Sequence, residues 1–271
     1  MRYKVDHDYH IHSGLSLCSG RADQNKERIL QYAKNCGLHT VCITDHYWDS
    51  DLYTWNQFYV DQPYDHIAKI LPLPKDDNVR FLFGCETDMD VAGTVGAPPK
   101  RYDDFAFIIV PTTHMHMGTF VLTEEENSDP TPIGRANAWI RRFDDLLAAD
   151  MPFHKVGLAH PACTLIDTRS RRAWIDVLDA IPEVEMERLF AKAAEVGMGI
   201  ELNRDDMMFS DEEEDSVLRM FKIAKYQGCK FYLGSDAHTP QWLENSVPVF
   251  ERAVAKLGLE ESDKYFITKG D

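Results

Sequence analysis

The amino-acid sequence predicts an α/β fold in which seven parallel strands, separated by helices, close into a (β/α)7 barrel. Short apolar runs alternate with amphipathic stretches of helical period, which is typical of a parallel sheet. Seven of the runs lead into His, Asp, Glu or Asn, and the carboxyl ends of the strands are where a barrel carries its reactive side chains. A chain of 271 residues can bury one such core, so we expect a single domain over residues 1–271.

The predicted strands are short apolar runs, each followed by a side chain that binds metal or lies beside one that does. In chain order the runs are residues 3–8, 40–44, 79–83, 105–110, 155–158, 198–202 and 231–233. The residues that follow them are, in the same order, His10 with His12, Asp45 with His46, Glu86, His114 with His116, His160, Asn203, and Asp236 with His238. An open sheet would spread these side chains too far apart to act together, so we expect the sheet to close.

Three amphipathic stretches between the strands predict helices. Residues 25–36 place Ile29 and Ala33 on one face and end at a glycine. Residues 182–196 begin at a proline and precede a glycine, which suits a helix start and a helix end. Residues 211–226 open with acidic side chains, which favour the positive end of a helix dipole. Each of these helices would connect two parallel strands.

Two segments are longer than plain connections, and both follow strands that carry candidate ligands. Residues 47–77 are rich in Tyr and Trp, and residues 115–132 contain three consecutive glutamates and two prolines. We expect both at the active rim, either as surface decoration or as part of a substrate-binding wall. Trp48 and Trp55 are compatible with lining a pocket or with packing the first segment onto the barrel.

The composition restricts the partners. With 45 acidic and 29 basic residues the chain has a formal net charge of -16, the wrong sign for neutralising the phosphates of a nucleic-acid polymer. The six cysteines are scattered without a Cys-x-x-Cys pair, which predicts reduced thiols, no disulfide and a cytoplasmic protein. The sequence shows neither a signal peptide nor an apolar run of membrane-spanning length, so we expect a small-molecule partner and no membrane partner. No particular oligomeric state is indicated.

Two short motifs have the geometry of metal ligands. His10-x-His12 and Asp236-x-His238 each place two ligands on one side of an extended chain, because residues two apart on a strand point the same way. Glu86 follows a buried strand, where a carboxylate is costly unless it is paired or coordinated. We therefore expect Glu86 to bridge two cations.

Further candidates follow the later strands. His114 and His116 lie close together after the fourth strand, where one ligand is sufficient, and we prefer His114. His160 follows the fifth strand. Arg204 follows the sixth, where its guanidinium could grip a phosphate through two hydrogen bonds or pair with a neighbouring carboxylate such as Asp205.

Taken together, these motifs resemble the PHP (polymerase and histidinol phosphatase) superfamily of metal-dependent phosphoesterases. The resemblance covers nearly the whole chain, and its motifs occur in the family's order. They are Asp-Tyr-His-Ile-His-Ser at 8–13, Ile-Thr-Asp-His at 43–46, Gly-Cys-Glu at 84–86, Ala-His-Pro at 159–161, Ile-Glu-Leu-Asn at 200–203 and Leu-Gly-Ser-Asp-Ala-His at 233–238. The resemblance implies a distorted (β/α)7 barrel with two or three divalent ions, in agreement with the strand count above.

The resemblance also implies three groups of metal ligands. The first ion would be surrounded by His10, His12, Glu86 and Asp236, the second by Glu86, His114 and His160, and the third by His46 and His238. The chain departs from the family where the third group usually gains a His or Asp shortly after the His-x-His motif. Here Cys18 has the spacing of that ligand, and it either completes the group or is a buried thiol without a ligand role.

The function implied by the resemblance is hydrolysis of a small phosphomonoester by a metal-bridged hydroxide, with Glu86, Asp236 and Arg204 as the expected catalytic residues. The His and carboxylate donors suit Zn, Mn or Fe. Two alternatives stay open. One is an amidohydrolase-type C–N hydrolase, which shares the first-strand His-x-His, although a bridging lysine is not evident here. The other is a PHP module that binds metal without catalysis.

Overall fold

The computed structural model describes residues 1–267 of the chain. Its strands are short and pair in parallel. In chain order they are β1 (His7–Ile11), β2 (Thr40–Ile43), β3 (Arg80–Phe83), β4 (Cys85–Glu86), β5 (Ile108–Pro111), β6 (Val156–Ala159), β7 (Gly199–Asn203) and β8 (Lys230–Gly234).

Helices alternate with the strands along the chain. The α-helices are α1 (Lys26–Asn35), α2 (Gln57–Val60), α3 (Tyr64–Ile67), α4 (Glu124–Ser128), α5 (Pro132–Ala148), α6 (Arg171–Ala180), α7 (Glu183–Val196), α8 (Glu214–Tyr226), α9 (Pro240–Glu244) and α10 (Ser246–Leu257). Short 3-10 helices occupy Ala68–Ile70, Pro99–Asp104, Met115–Phe120, Phe153–Lys155, Thr164–Ile166 and Glu261–Asp263. Within residues 1–267, no helix combines the length and the apolar character that crossing a membrane requires.

The strands form two parallel sheets joined by one stretch of chain. The first sheet has the order β1-β2-β3 and the second the order β4-β5-β6-β7-β8. Only Gly84 separates β3 from β4, and β1 meets β8 through a parallel bridge between Ile11 and Ala237. Beside that bridge, the backbone N–H of Asp236 donates to the carbonyl oxygen of His10 at 2.8 Å. The strands therefore follow one another around the seven positions that the sequence predicts.

Side chains from strands that are not neighbours meet inside this ring. The ring centroid of Tyr9 on β1 lies 5.9 Å from that of Phe107, which precedes β5. The centroid of Phe107 lies 5.0 Å from that of Tyr232 on β8. All three side chains are buried. Such contacts require the sheet to curl around a common core, so the predicted distorted (β/α)7 barrel is confirmed.

One distortion lies at Gly84, where the chain leaves the first sheet and joins the second. The N–H of Gly84 donates to Ile43 on β2 at 2.8 Å, whereas the N–H of Cys85 donates to Phe107 at 3.1 Å. A Cβ atom at residue 84 would lie 2.5 Å from the carbonyl oxygen of Phe107, so this close approach of two backbones requires glycine. The change of sheet leads directly into Glu86.

The first strand begins later than predicted. We expected it at residues 3–8, whereas β1 runs from His7 to Ile11. The residues before it pair elsewhere, because the N–H of Tyr3 donates to the carbonyl oxygen of Leu259 at 3.3 Å. As a result, His10 lies inside the strand rather than after it.

Helix α8 also begins later than predicted, at Glu214 instead of residue 211. The carboxylate of Glu213 accepts hydrogen bonds from the N–H of Ser210 at 2.8 Å and from Arg171 at 2.5 and 2.6 Å. These bonds hold the preceding acidic residues in a turn. The other two predicted helices correspond to α1 and α7, with ends within one residue of the predicted ones.

Candidate metal centre

All eight predicted ligands gather at one rim of the barrel. Their donor atoms fall into three groups, and within each group the atoms lie within 4.8 Å of one another. The groups are His10, His12, Glu86 and Asp236; Glu86, His114 and His160; and His12, Cys18, His46 and His238. Because His12 and Glu86 each belong to two groups, the three groups form one continuous cluster.

Glu86 connects the groups through its two carboxylate oxygens. Its Oε2 lies 3.2 Å from Nε2 of His12 and 3.2 Å from Nδ1 of His46. Its Oε1 lies 3.0 Å from Nε2 of His160 and 3.8 Å from Nε2 of His114. Oε2 therefore faces one side of the cluster and Oε1 faces the other, which is the arrangement of a carboxylate that bridges two cations.

Asp236 and His46 carry buried atoms that have no hydrogen-bond partner among residues 1–267. Oδ1 of Asp236 lies 3.1 Å from Nε2 of His12 and 3.4 Å from Nε2 of His10, but has no hydrogen-bond partner. Nδ1 of His46 is likewise buried without a partner. A buried polar atom left unpaired is costly, and a cation would satisfy both atoms. The residues present therefore fit a metal ion.

Two members of the cluster have an unusual backbone conformation. His160 has a φ angle of 28° and Asp236 one of 50°. Positive φ angles are uncommon for residues other than glycine and cost free energy, so they persist where the surrounding structure enforces them. In this barrel they occur at two of the predicted ligands.

Two carboxylates that belong to none of the donor groups contact the Nδ1 atoms of two imidazole rings. Oε1 of Glu201 lies 2.9 Å from Nδ1 of His10, and Oδ2 of Asp88 lies 2.9 Å from Nδ1 of His114. Asp88 is itself paired with the buried Arg142 at 2.7 Å. An Nδ1–H that donates to a carboxylate leaves Nε2 free to bind a metal ion, and it fixes the orientation of the ring.

Hydroxyl groups support two further rings. Oγ of Ser16 lies 2.9 Å from Nδ1 of His12, and this hydroxyl donates to Asp45 at 2.7 Å. Oγ1 of Thr113 lies 3.0 Å from Nδ1 of His160. Asp45, which ends the second predicted strand, thus supports a ligand and belongs to none of the three donor groups.

Sequence reasoning missed the roles of several supporting residues. Asn203 ends the sixth predicted strand, yet its Nδ2 donates to Glu201 at 3.3 Å and it joins no donor group. Glu201 was visible as a carboxylate within an apolar run. Asp88 follows Glu86 by two residues, the same spacing as in the His-x-His motif, and that spacing could have identified it.

The buried charges of the cluster stabilise one another. Burial alone would lower the pKa of His10, but the nearby carboxylates, Glu201 above all, raise it well above its usual value. Burial alone would raise the pKa of Glu86, but His46 and His10 hold it well below its usual value. Glu86 is therefore an ionised donor, which is the form that binds a cation.

The cluster forms part of the wall of a cavity of about 370 Å³. The first long segment contributes Asn56, Phe58 and Tyr59 to this cavity, and the second contributes His116 and Met117. Both segments therefore line the site. The remaining lining residues are Cys18, His46, Glu86, His114, His160, Leu165, Asp236 and His238. From residues 1–267, no lysine or arginine lines it.

The tryptophans of the first long segment pack onto the protein and do not line this cavity. Trp48 is buried, with its ring centroid 5.5 Å from that of Tyr59 and 5.4 Å from that of Phe120. Trp55 is 59% exposed and approaches Phe120 edge-on at 5.8 Å. Of the two roles open to the tryptophans, the structure shows packing.

Arg204, which the sequence predicts at the site, does not line the cavity. Its guanidinium forms an ion pair with Asp205 and lies 5.5 Å from the ring centroid of Trp242. This is the ion pair that the sequence leaves open as the alternative to phosphate binding. A contact between Arg204 and a phosphate in the cavity stays a prediction.

Cys18 and His116 were the two uncertain ligands of the sequence. Cys18 is exposed as a residue, yet burial raises the pKa of its thiol, and its sulfur lies with the third donor group, so its role as a ligand stays a prediction. The ring of His116 lies 5.2 Å from that of His114, measured between centroids, and His116 belongs to no donor group. Burial, together with the charge of His114, lowers the pKa of His116 to about 4.

Two curated proteins are similar to this chain, and each is named a probable phosphatase. The protein from Caldicellulosiruptor saccharolyticus is 22% identical over 235 residues, which cover 84% of this chain and 78% of that protein. The protein from Caldicellulosiruptor bescii is 23% identical over 237 residues, with the same coverage of 84% and 78%.

A solved structure shares the fold. It is histidinol phosphate phosphatase from Lactococcus lactis, crystallised in complex with zinc, L-histidinol and phosphate. The TM-score is 0.57 at 15% sequence identity, covering 96% of this chain and 98% of the other. The family model described as PHP domain matches residues 8–246. The chain therefore belongs to the PHP domain family.

Proposed function

We propose that this protein is a metal-dependent phosphoesterase that hydrolyses a small phosphomonoester. Membership of the PHP domain family supports the proposal, as do the two relatives named probable phosphatase. The structurally similar histidinol phosphate phosphatase binds zinc, histidinol and phosphate. It supports zinc as one candidate ion and a small phosphorylated molecule as the substrate class.

The observation that carries the proposal is the position of Glu86 between two donor groups. Its Oε2 lies 3.2 Å from Nε2 of His12, and its Oε1 lies 3.0 Å from Nε2 of His160. Residues so placed would hold two divalent ions, of Zn, Mn or Fe, with a third held by the group around His46 and His238. Such ions supply Lewis acidity, charge neutralisation and an activated water for displacement at phosphorus.

The chain's own residues prepare this chemistry. Glu201 and Asp88 orient His10 and His114, so that each Nε2 faces the cluster. These contacts fix the orientation of the rings, and preorganised groups of this kind lower the barrier of a reaction. We assign these carboxylates a positioning role.

The cavity wall defines how the substrate is held. Phe58, Met117 and Leu165 provide apolar surface for the alcohol part of the ester, and Asn56 provides an amide. Because no arginine or lysine from residues 1–267 lines the cavity, the ions would supply most of the positive charge beside the phosphate.

The alternatives have less support. An amidohydrolase-type site would use a bridging lysine, whereas no lysine from residues 1–267 lines the cavity and Glu86 belongs to two of the donor groups. A metal-binding module without catalysis would not need room above its ions, and this site opens into about 370 Å³.

A screen of phosphorylated metabolites tests the proposal. We expect the zinc- or manganese-loaded protein to release inorganic phosphate from at least one phosphomonoester, with loss of activity on chelation and recovery when Zn, Mn or Fe is added back. Release of ammonia from amide or amidine substrates, without phosphate release, would favour the amidohydrolase alternative. No turnover of either class would favour the non-catalytic module.

A further inference from the structure

A second cavity adjoins the one above the metal centre. It measures about 230 Å³ and shares His116 and Leu165 with the first cavity. The shared residues belong to the 3-10 helices Met115–Phe120 and Thr164–Ile166. Because these two side chains line both spaces, an elongated ligand anchored in the first cavity could extend past them into the second.

Arg135 lines the second cavity, and its guanidinium forms no ion pair with any carboxylate of residues 1–267. It belongs to the N-terminal part of α5 and is partly buried. Among residues 1–267, no carboxylate oxygen lies within 4.0 Å of its guanidinium nitrogens, and its Nη1 is buried without a hydrogen-bond partner. By contrast, Arg142 on the same helix is paired with Asp88 at 2.7 Å. An unpaired guanidinium in a chain with 45 acidic and 29 basic residues is available to an anion from outside the chain.

The other charged side chains of the second cavity neutralise each other. Nε of Arg169 lies 3.0 Å from Oδ1 of Asp167, and Nη2 of Arg169 lies 2.6 Å from Oδ2 of Asp167. This bidentate pair satisfies Asp167, whose carboxylate is the one from residues 1–267 that lines the cavity. With Arg135 included, the acidic and basic residues that line the second cavity therefore carry one net positive charge.

The environment of Arg135 disfavours its charge while the cavity holds no anion. Burial is the main reason that the pKa of Arg135 is lowered from its usual value, and the charge of Asp167 offsets this only in part. A partly buried guanidinium regains the lost interaction when an acceptor with a negative charge binds. The geometry and the charge balance thus favour the same kind of ligand.

We propose that the second cavity binds a second anionic group of the substrate, a carboxylate or a phosphate, while the phosphomonoester lies at the metal centre. This inference rests on the proposed function. The first cavity offers the second anion no arginine or lysine from residues 1–267, whereas Arg135 offers a planar set of N–H donors. The substrate class is therefore a phosphomonoester with an acidic group at its far end.

Calorimetric titration of the zinc-loaded protein with non-hydrolysable phosphonates tests this proposal. The probes are alkane diphosphonates and phosphonocarboxylates in a graded series of lengths, and each is compared with the alkyl monophosphonate of the same length. At one length we expect a doubly anionic probe to bind roughly tenfold more tightly than its monophosphonate, because it gains a charge-assisted pair. The diphosphonate and phosphonocarboxylate arms distinguish a phosphate from a carboxylate.

Two arginine variants complete the experiment. Arg135→Met should abolish the advantage of the doubly anionic probe. Arg172→Met is the matched control, because Arg172 lies on α6 with 79% of its side chain exposed and pairs with Asp176; it should preserve the advantage.

Two results would overturn the proposal. One is that no doubly anionic probe gains over its monophosphonate at any length, and the other is that Arg135→Met leaves the gain intact. Failure of the proposed function would look different, since it would appear as no phosphate release from any phosphomonoester, whereas phosphonate binding requires no turnover.

Discussion

Glu86 lies within 3.8 Å of five imidazole nitrogens, which come from all three donor groups. Its side chain is almost fully buried, at 1% exposure, and yet its neighbours are polar. Burying a carboxylate in this way is costly unless ions or hydrogen bonds compensate. The charge of Glu86, and not its volume, therefore explains its presence at the rim of the barrel.

Glu86→Gln and Asp236→Asn each preserve the shape of the side chain and remove its charge. We expect each variant to lose phosphatase activity by at least about a hundredfold, more than residues that only orient ligands, while circular dichroism shows an intact fold. Glu124→Gln, at an exposed position on α4, is the control and should keep full activity. Wild-type turnover in either cluster variant would contradict the bridging arrangement.

Glu201→Gln tests a residue that orients the ligand His10 and belongs to none of the donor groups. In the native protein Oε1 of Glu201 lies 2.9 Å from Nδ1 of His10, and Oε2 accepts from the backbone N–H of His160 at 2.6 Å. The glutamine keeps one of these two acceptor oxygens. We expect metal affinity, measured by competition with a chelator, to fall roughly 10–100-fold. An unchanged affinity would show that Glu201 stabilises the fold and does not tune the metal centre.

Arg204→Ala distinguishes the two roles of this arginine. A hydrogen bond to a charged group contributes about 1.5–3 kcal/mol, so a role in phosphate binding predicts a loss of roughly ten- to a hundredfold in kcat/KM with the metal retained. Arg204→Lys should recover only part, because a point charge cannot replace the planar guanidinium. An unchanged kcat/KM would assign Arg204 to its ion pair with Asp205 alone.

The sequence was informative about ligands and less so about what supports them. A histidine at the end of an apolar run contributes little to the core, so the pattern of histidines could be recognised as a set of candidate ligands along the chain. Glu201 and His10 are 191 residues apart, and no local pattern connects them. Similarly, the sequence placed Arg204 at the correct rim but could not determine whether its guanidinium points to the cavity or to Asp205.

Among the secondary-structure elements, the junction of β3 and β4 leaves no room for a side chain at Gly84. Gly84→Ala would place a Cβ atom 2.5 Å from the carbonyl oxygen of Phe107 and 2.8 Å from the sulfur of Cys42. Overpacking of this kind costs about 1–3 kcal/mol, so we expect a lower free energy of unfolding in denaturant titrations. Metal affinity should fall as well, because the displaced backbone carries Glu86.

Gly93→Ala provides the control for this variant. Gly93 has a positive φ angle of 80°, so alanine strains the backbone there, but no atom lies within 4 Å of the added Cβ. It should lose some stability and keep its metal affinity. If Gly84→Ala behaved in the same way, the junction would not be what positions Glu86.

Apolar periodicity located the strands and helices, but it could not predict where pairing partners change. The late start of β1 depends on Tyr3 bonding to Leu259, at the opposite end of the chain. The late start of α8 depends on Arg171, which binds Glu213 from another helix. The separate strand β4, which begins just after the predicted third strand, depends on the approach of Phe107. All three are long-range contacts, which a pattern of neighbouring residues does not contain.

At the scale of the whole molecule, the acidic charge and the barrel fold support the same function. The formal net charge of -16 is partly offset when divalent ions bind. The closed arrangement of parallel strands brings ligands from residue 10 to residue 238 to one rim. Ions that bind only the folded chain would also stabilise it by mass action.

The metal content of the native protein tests the central claim most directly. Elemental analysis of protein purified without chelator should find two or three divalent ions per chain, of Zn, Mn or Fe, because the donor atoms form three groups. The same preparation should hydrolyse a phosphomonoester and lose that activity on chelation. Fewer than one ion per chain, together with no activity gained on adding any of the three metals, would contradict the proposed metal-dependent phosphoesterase.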